Sequence, residues 1–410
     1  MTRLTSLVVT AAGIMGAAAH AQPARTLELL EAAERPVRVV CLGDSVTGAY
    51  YHTGSKRAYC DMLGIALERL YPGAEVTVVN AGISGNTSAQ GLARLDTDVL
   101  AHEPDLVTIM FGLNDMRRTE LADYRANVEA LVERCLAADA EVVLCPPTWA
   151  SNLDAMPLDL QDQYVAAVEE VAAAHGIVVA DCYRAFRDLQ QADPEAYDLT
   201  MSDAIHPNMN GHKLIAEVIA RAISGREVAL ADVPPPPVQM QQSFARMADG
   251  QPVRVIATPP FDGLVEEALQ AACGADVAVE VTTWPVAATV GEMEQWAKTD
   301  VRAAAPDLVV VAVPADATAA DRGAYVAAYE WTLNWSLAFG PGTWDCIPVL
   351  PSVAAPDLTS EQQANAEIAR ALIAGKDLRA VDRAPDDGAS AAELLAAFIA
   401  GQFAAWQATR

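Results

Sequence analysis

A serine, a histidine and an aspartate in the first half of the chain have the residue types that nucleophilic ester cleavage needs. Ser45 lies in Gly43-Asp44-Ser45-Val46-Thr47-Gly48, where a strand gives way to a helix N-terminus that favours developing negative charge. Its hydroxyl needs a base to accept its proton, and His206 can be that base. Asp203, three residues earlier, can hold the imidazole in the right tautomer. By itself the Gly-Asp-Ser triplet is equally a turn with a serine N-cap.

Three later loops decide between these interpretations. Residues 80–87 and 112–115 lie at the ends of predicted strands, and residues 203–208 form the last loop. All three lie where chain order puts the same sheet edge. Together with the Ser45 turn they resemble the four signature blocks of the SGNH (GDSL-type) hydrolase superfamily, over about residues 37–224. Residues 78–94 are especially similar to the bacterial periplasmic thioesterase and lysophospholipase branch.

The resemblance implies a catalytic triad of Ser45, His206 and Asp203. It also implies an oxyanion hole made by the backbone N–H groups of Ser45 and Gly85 and by the side-chain amide of Asn114. Loss of one such donor typically lowers turnover by about 100-fold to 1000-fold. We therefore expect these five residues to face one point.

Other residues near predicted strand ends are candidates for the pocket or for supporting roles. We expect His52 to line the pocket rather than act as a base, His212 to be a capping or surface residue, and Asp44 and Asp115 to fix turns. The pocket candidates are Tyr50, Tyr51, His52, Lys56, Arg57, Met116, Arg117 and Trp149.

Alternation of short β-branched runs with helical stretches predicts an α/β fold with a doubly wound parallel sheet, SGNH- or flavodoxin-like in class. Continuous apolar runs indicate strands covered on both faces. The predicted strands are 37–42, 75–80, 106–111, 141–145 and 177–180, and the predicted helices are 58–70, 122–138, 160–174 and 211–223.

The second half repeats part of this pattern. Residues 252–256 echo 36–40, and residues 306–309 echo 104–107 at similar spacing, which suggests a tandem duplication, with chance similarity of Ala/Val-rich units as the alternative. We predict a hydrolase domain at 36–224, a proline-containing linker at 225–250 and a degenerate α/β domain at 251–410.

The predicted second domain lacks the residues of the first site. Thr258 follows the strand that matches the nucleophile strand, and no histidine occurs after His212, so we expect this domain to be catalytically inactive. For its tryptophans we favour core packing over a carbohydrate-stacking surface. These are Trp284, Trp296, Trp331, Trp335 and Trp344.

Composition limits the partners and the compartment. With 54 acidic and 27 basic residues the net charge is -27, which excludes nucleic acid as a partner. Arg3, an apolar stretch at 4–19 and Ala19-His20-Ala21 predict a signal peptide cleaved after Ala21, hence a secreted or periplasmic protein. No later segment has the roughly 20 apolar residues needed to cross a bilayer, so no stable membrane insertion is expected. Seven cysteines allow at most three disulfides, for which no pairing is assigned.

We therefore expect an exported serine ester hydrolase that works through an acyl-enzyme, without metal or cofactor. Short acyl esters such as carbohydrate O-acetyl groups are the favoured substrates, and thioesters or lysophospholipids are the alternative. A non-catalytic secreted binding or scaffold protein is the rival from another class. The sequence leaves the natural acyl group and the oligomeric state open.

Overall fold

The computed structural model consists of two α/β halves. It describes residues 22–151, 153–274, 278–285, 287–340, 343–384 and 387–410. The predicted signal peptide at 1–21 lies outside the described residues. Below, the first half is residues 22–224 and the second half is residues 238–410.

Five parallel strands form the sheet of the first half, in the order β2-β1-β3-β4-β5. Gly43, the last residue of the first strand, pairs with both Gly82 and Met110, so the carboxyl ends of three strands meet at one edge. The strands are β1 Val37–Gly43, β2 Val76–Gly82, β3 Leu106–Met110, β4 Glu141–Cys145 and β5 Val178–Val179.

Helices cover this sheet on both faces, as the buried length of β3 shows. The helices are α1 Ala24–Ala32, α2 Tyr59–Leu70, α3 Ser88–Ala93, α4 Leu95–Asp98, α5 Asp115–Arg118, α6 Leu121–Ala137, α7 Leu158–His175, α8 Cys182–Ala192, α9 Pro194–Asp198 and α10 Met209–Ser224. Among them α2 packs against α10, and α6 against α7. The predicted fold class is confirmed, and the predicted strands and helices agree with these bounds to within two residues.

One expectation about the strands is wrong. We predicted that every strand is covered on both faces, but β2 is half-exposed, with only Ala81 fully buried. β2 lies at the edge of the sheet, where no further strand continues it.

A second parallel sheet, in the order β7-β6-β8-β9, forms the second half. Alternate residues of β8 point into two hydrophobic clusters, so this sheet is also covered on both faces. Its strands are β6 Val253–Ala257, β7 Val279–Thr283, β8 Leu308–Ala312 and β9 Asp345–Val349. The helices are α11 Gln241–Ala248, α12 Val265–Cys273, α13 Val290–Trp296, α14 Arg302–Ala304, α15 Arg322–Ser336, α16 Pro351–Ala354, α17 Ser360–Gly375 and α18 Ala391–Ala408.

The two sheets share a local hydrogen-bond pattern. In the first half, the backbone N–H of Arg38 donates to the Asp105 carboxylate at 2.9 Å, and Asp105 N–H donates to the Arg38 carbonyl at 2.8 Å. In the second half, Arg254 and Asp307 make the same two bonds at the same distances. Each aspartate thus precedes a central strand and ties it to its neighbour.

The predicted linker at 225–250 needs a correction, because α11 lies inside it. Met240, Phe244 and Met247 have the i, i+4, i+7 spacing of a helix face and are buried against the second sheet. Because polar residues lie between these three, the apolar face was not recognised in the sequence. The proline run is bound to both halves, since Pro234 accepts from Arg57 and Pro235 accepts from Arg379.

All seven cysteines, which lie within the described residues, are unpaired. None of the described helices has the length and apolar character needed to span a bilayer.

Candidate active site

Ser45, His206 and Asp203 form a continuous hydrogen-bonded chain at the carboxyl edge of the first sheet. Ser45 Oγ lies 2.9 Å from His206 Nε2. On the other side of the ring, His206 Nδ1 lies 2.8 Å from Asp203 Oδ2 and 3.0 Å from Oδ1. With the proton on Nδ1, the Nε2 lone pair faces the serine hydroxyl, which is the arrangement that lets imidazole act as its base.

The loop that carries His206 and Asp203 is a tight turn held by its own backbone. Asp203 Oδ1 accepts the backbone N–H groups of Ile205 and His206 at 2.9 and 2.8 Å. Asn208 ends the loop by accepting the Asn210 N–H at the N-terminus of α10, while its amide donates to the Met201 carbonyl at 3.2 Å. These bonds fix the distance between carboxylate and imidazole within one short segment.

Electrostatics keep Asp203 ionised. Burial raises the pKa of its carboxyl. Three groups lower it: His206, through its hydrogen bond and its charge, the nearby His52, and the Ile205 N–H. Their effect outweighs burial, so the pKa of Asp203 lies well below its usual range. An ionised carboxylate can stabilise the imidazolium that forms when Ser45 gives up its proton.

His52 is a neighbour of the triad rather than an open part of a pocket wall. Its ring stacks on His206 with centroids 4.0 Å apart and planes 16° apart, and its Nδ1 lies 3.8 Å from Asp203 Oδ2. Burial, followed by the charge of His206, lowers the pKa of His52 well below its ordinary value. His52 is therefore neutral when His206 takes up a proton.

Of the two roles expected for His212, the surface position is wrong, whereas a capping contact is present at the start of α2 rather than of its own helix. The side chain is buried, and its Nδ1 accepts the backbone N–H of Tyr59 at the start of α2. Because α10 packs directly on α2, a residue one turn into α10 faces the neighbouring helix rather than water.

Two of the three predicted oxyanion donors are available. Among the described residues, neither the Ser45 nor the Gly85 backbone N–H donates to another protein group, and Gly85 has a φ of 76°, a conformation that glycine adopts without strain. The Asn114 amide is engaged, donating to Asp44 Oδ2 at 3.2 Å and to the Asn86 carbonyl at 3.1 Å. Both bonds lie at the long end of the ordinary range for an N–H donor.

A model of the GDSL-like lipase/acylhydrolase family matches residues 41–214. The N-terminal half of this chain belongs to the GDSL-like lipase/acylhydrolase family. The chain is similar to the acetylxylan esterase of Geobacillus stearothermophilus, at 28% identity in an alignment of 209 residues that covers 45% of this chain and 93% of that protein. It is also similar to thioesterase 1/protease 1/lysophospholipase L1 of Escherichia coli, at 26% identity over 45% of this chain and 82% of that protein.

Among solved structures, the lipase/acylhydrolase from Enterococcus faecalis is 30% identical, covering 47% of this chain and 98% of that one, with a TM-score of 0.41. The family model over residues 41–214 confirms the superfamily recognised from the signature blocks, and the chain is a carboxylic ester hydrolase of this GDSL family. The second half lies outside the family match.

Two arginines that brace the GDSL-family site were missed at the sequence level. Arg94 donates to the Gly43 carbonyl at the end of β1 and to Asn86 Oδ1, both at 3.0 Å. Arg118 donates to the Gly85 carbonyl at 2.9 Å and to Asn114 Oδ1 at 3.1 Å. The spacing of Arg118, one helical turn after Asn114, was the available signal.

The turn-fixing roles expected for Asp44 and Asp115 agree with their contacts. Asp44 Oδ1 accepts the Val46 N–H at 3.0 Å. Asp115 Oδ1 accepts both the hydroxyl and the N–H of Ser88, at 2.6 and 3.0 Å, which fixes the start of α3.

The predicted pocket residues of the GDSL-family half divide into two groups. Tyr50 and Tyr51 border the site: Tyr50 Oη accepts the Ser84 N–H at 2.9 Å, and the Tyr51 ring lies 4.0 Å from that of His52. Arg117 lines an open cavity of about 530 Å³ beside Asp203 and Ala204.

The other candidates lie elsewhere. Trp149 is buried in the core, edge-to-face on Tyr197, so Tyr197 rather than Trp149 reaches a cavity wall. Met116 is buried as well. Lys56 and Arg57 bind groups outside the first half, namely the Val238 carbonyl and the Asp377 carboxylate. Large side chains that follow a strand can fold back over the core or reach a neighbouring unit, which sequence position does not reveal.

The second half also contributes to the walls of the site, which was not predicted. Trp331 of α15 lines the cavity shared with Arg117 and a second cavity of about 230 Å³ beside Tyr197 and Ala204. Phe339, 58% exposed, lies with its ring 5.8 Å from Tyr50. By contrast Trp284 is fully buried and stacks on Trp296, as core packing predicts.

Two groups of histidine and acidic side chains in the described part of the chain have ligand atoms within 4.8 Å of one another. We assign no metal to either group. The group that contains His206 is the triad with its neighbour, and acidic clusters like the group that contains Glu129 are common at surfaces. The groups are His52, Asp203 and His206, and Glu129, Glu133 and His175.

Proposed function

We propose that this protein is a serine ester hydrolase that uses Ser45 as nucleophile, His206 as base and Asp203 as the carboxylate that orients the base. The observation that carries the proposal is the 2.9 Å contact between Ser45 Oγ and His206 Nε2, continued by the 2.8 Å contact to Asp203. The mechanism needs neither metal nor organic cofactor.

In this mechanism Ser45 Oγ attacks the ester carbonyl while His206 Nε2 takes its proton. The negative charge on the tetrahedral intermediate is stabilised by the N–H groups of Ser45 and Gly85 and by the Asn114 amide. His206 then protonates the leaving alcohol, and water activated by the same imidazole releases the acid from the acyl-enzyme.

Labelling with an organophosphonate tests the nucleophile. Mass mapping should find the adduct on Ser45, and Ser45→Ala should lower kcat/KM for p-nitrophenyl acetate by at least about 10³-fold without loss of the fold. Folded wild-type protein with an unlabelled Ser45, or equal background hydrolysis by wild type and Ser45→Ala on a broad ester panel, would instead support the non-catalytic binding or scaffold protein.

For the substrate we propose short acyl esters of carbohydrates. The similarity to an acetylxylan esterase supports this choice, as do the aromatic side chains Tyr50, Trp331 and Phe339 around the opening. A chain-length series of p-nitrophenyl esters, run beside acetylated xylo-oligosaccharides, should give the highest kcat/KM for acetyl groups. A preference for long acyl chains or for acyl thioesters would favour the thioesterase or lysophospholipase alternative, to which the similarity to the Escherichia coli enzyme points.

We also propose export, on the basis of the N-terminal sequence alone. Mass spectrometry of the protein from a native host should find Gln22 as the first residue outside the cytoplasm.

For the domains we propose a hydrolase at 36–224 and a degenerate, catalytically inactive copy of it at 251–410, preceded by α11. The equivalent strand orders β2-β1-β3-β4 and β7-β6-β8-β9 support a duplication. The matching Arg38–Asp105 and Arg254–Asp307 bonds support it further, because chance similarity need not preserve such detail.

A further inference from the structure

A buried lysine of the second half contacts the loop that carries the triad. Lys376 follows α17 directly, and its side chain is completely inaccessible to solvent. Its Nζ lies 2.8 Å from Ser202 Oγ, 2.6 Å from Asn334 Oδ1 and 2.6 Å from the Glu330 carboxylate. A longer contact of 3.4 Å joins Nζ to the His52 carbonyl. A buried ammonium group is stable only when its N–H groups and its charge are matched, and these four contacts match both.

Ser202 connects this lysine to the triad. It directly precedes Asp203, and its Oγ lies 3.1 Å from His52 Nδ1. Its carbonyl accepts the Asn334 amide at 2.9 Å, so the second half holds both the backbone and the hydroxyl of Ser202. His52 in turn stacks on His206.

The donor and acceptor roles within this cluster follow from the charge of Lys376. Ammonium can only donate, so Ser202 Oγ accepts from Nζ and has its own proton left to give. The Ser202 hydroxyl has two acceptors at 3.1 Å, Asn334 Oδ1 and His52 Nδ1. Because the amide oxygen already accepts from the charged Nζ at 2.6 Å, we assign the proton to the imidazole nitrogen. His52 then carries its proton on Nε2.

We propose that Lys376 is a positioning residue for the triad: through Ser202 it holds His52 as the neutral Nε2–H tautomer, so that Asp203 serves His206 alone. A proton on His52 Nδ1 would place the positive end of an N–H dipole 3.8 Å from Asp203 Oδ2, the oxygen that lies nearest to His206 Nδ1. This inference rests on the proposed function, and it gives the second half a role in the chemistry of the first.

The groups that face His52 are consistent with such control. Asp203 attracts a proton to His52, whereas His206 and Lys376 repel it, as does the more distant His212. The Tyr51 ring covers His52 at 4.0 Å. The carboxylate that attracts a proton to His52 is thus the one that the triad uses.

The double variant Glu330→Gln/Lys376→Met tests the proposal while keeping the buried site neutral. We expect kcat for p-nitrophenyl acetate to fall by about tenfold or more with KM changed less than about twofold, because the triad is misaligned rather than the pocket. In ¹⁵N spectra of histidine-labelled protein, His52 Nδ1 should report an unprotonated nitrogen in wild type and gain N–H character in the variant. Arg322→Ala is the matched control, since it removes only an exposed ion pair between the halves, to Glu195, and should leave both readouts unchanged.

Ser202→Ala is the second variant, should the double variant fail to fold. It removes one hydroxyl and should produce the same change at His52 with a smaller loss of kcat. A protonated Nδ1 in wild type, or a folded variant with wild-type kcat and an unchanged His52 spectrum, overturns the proposal. Failure of the triad itself would be seen separately, as full activity of Ser45→Ala.

Discussion

Asp44 lies next to the nucleophile and carries a buried charge that accepts hydrogen bonds from the Val46 N–H and from the Asn114 amide. One oxygen accepts the Val46 N–H, and the other accepts the amide at 3.2 Å. Burial raises the pKa of Asp44 to about 6. An ionised Asp44 therefore destabilises the fold at pH 7 while it orients a proposed oxyanion donor, so stability and activity should respond to it in opposite directions.

The Asp44→Asn variant should be more stable but slower. In wild type the folded-state pKa of Asp44 is raised from 3.8 to about 6. The ionised carboxylate therefore lowers the free energy of unfolding above pH 6, and this effect disappears as the pH falls toward 4. The stability advantage of the variant should accordingly shrink by up to about 1.4 kcal/mol per pH unit from pH 6 to pH 4. We expect kcat at pH 7 to fall about tenfold, less than for outright removal of an oxyanion donor. Urea unfolding and ester hydrolysis measure the two effects.

Asp345→Asn is the matched control for this prediction. Burial raises the pKa of Asp345 to about 6 as well, but its carboxylate accepts from Ser243 in the second half, away from the triad. It should show the same pH-dependent stabilisation with unchanged kcat. Equal kcat for Asp44→Asn and wild type would remove Asp44 from the orientation of Asn114.

At the scale of elements, the contact between α2 and α10 depends on a neutral histidine. Nδ1 of His212 accepts the Tyr59 N–H at 2.8 Å, a bond that a proton on Nδ1 would abolish. Burial, together with the charge of His206, lowers the pKa of His212 to about 3. Protonation in acid should therefore separate the two helices that flank the nucleophile and the triad loop.

The His212→Gln variant measures this effect. The unfolded chain takes up a proton on His212 below about pH 6.5 and the folded chain only near pH 3, so this contribution to stability is present above pH 6.5 and is lost as the pH falls. The free energy of unfolding of wild type, minus that of the variant, should decline by about 1.4 kcal/mol per pH unit below about pH 6. Between pH 7 and 8 the difference should stay constant. A difference that is flat down to pH 4.5 would contradict a neutral buried imidazole.

How far the sequence predicts these elements depends on the range of the interactions that form them. Helices such as α2 and α10 follow from local periodicity and were predicted to within two residues. The meeting of four loops at one sheet edge follows from the order of the strands. The exposure of β2 and the helix α11 were missed because they depend on which neighbour covers them. Trp331, Asn334 and Lys376 reach the site from more than 120 residues away, and no pattern in the chain marks that distance.

At the scale of the whole molecule, the two halves approach each other closely beside the triad loop. Arg57 and Asp377 form a two-bond ion pair with both distances 2.7 Å. Gly54, two residues after His52 and with a φ of 72°, lies so near the second half that a Cβ there would be 2.1 Å from the Lys376 carbonyl oxygen. The site therefore depends on contacts that either half alone would lack.

Gly375→Ala tests that dependence from the second half. A Cβ on Gly375, the last residue of α17, would lie 2.6 Å from the Asn208 amide nitrogen, and Asn208 joins the triad loop to α10. Relief of this clash should cost about 1–3 kcal/mol of unfolding free energy. Because Asn208 cannot move without the loop, kcat should also fall by about tenfold.

Gly401→Ala provides the comparison, since Gly401 lies within α18 with nothing within 4 Å of the added Cβ. That variant should gain up to about 1 kcal/mol from higher helix propensity and keep wild-type kcat. Thermal unfolding and ester hydrolysis distinguish the two variants. If Gly375→Ala lost stability but kept full kcat, the second half would support the fold of the first without aligning its triad.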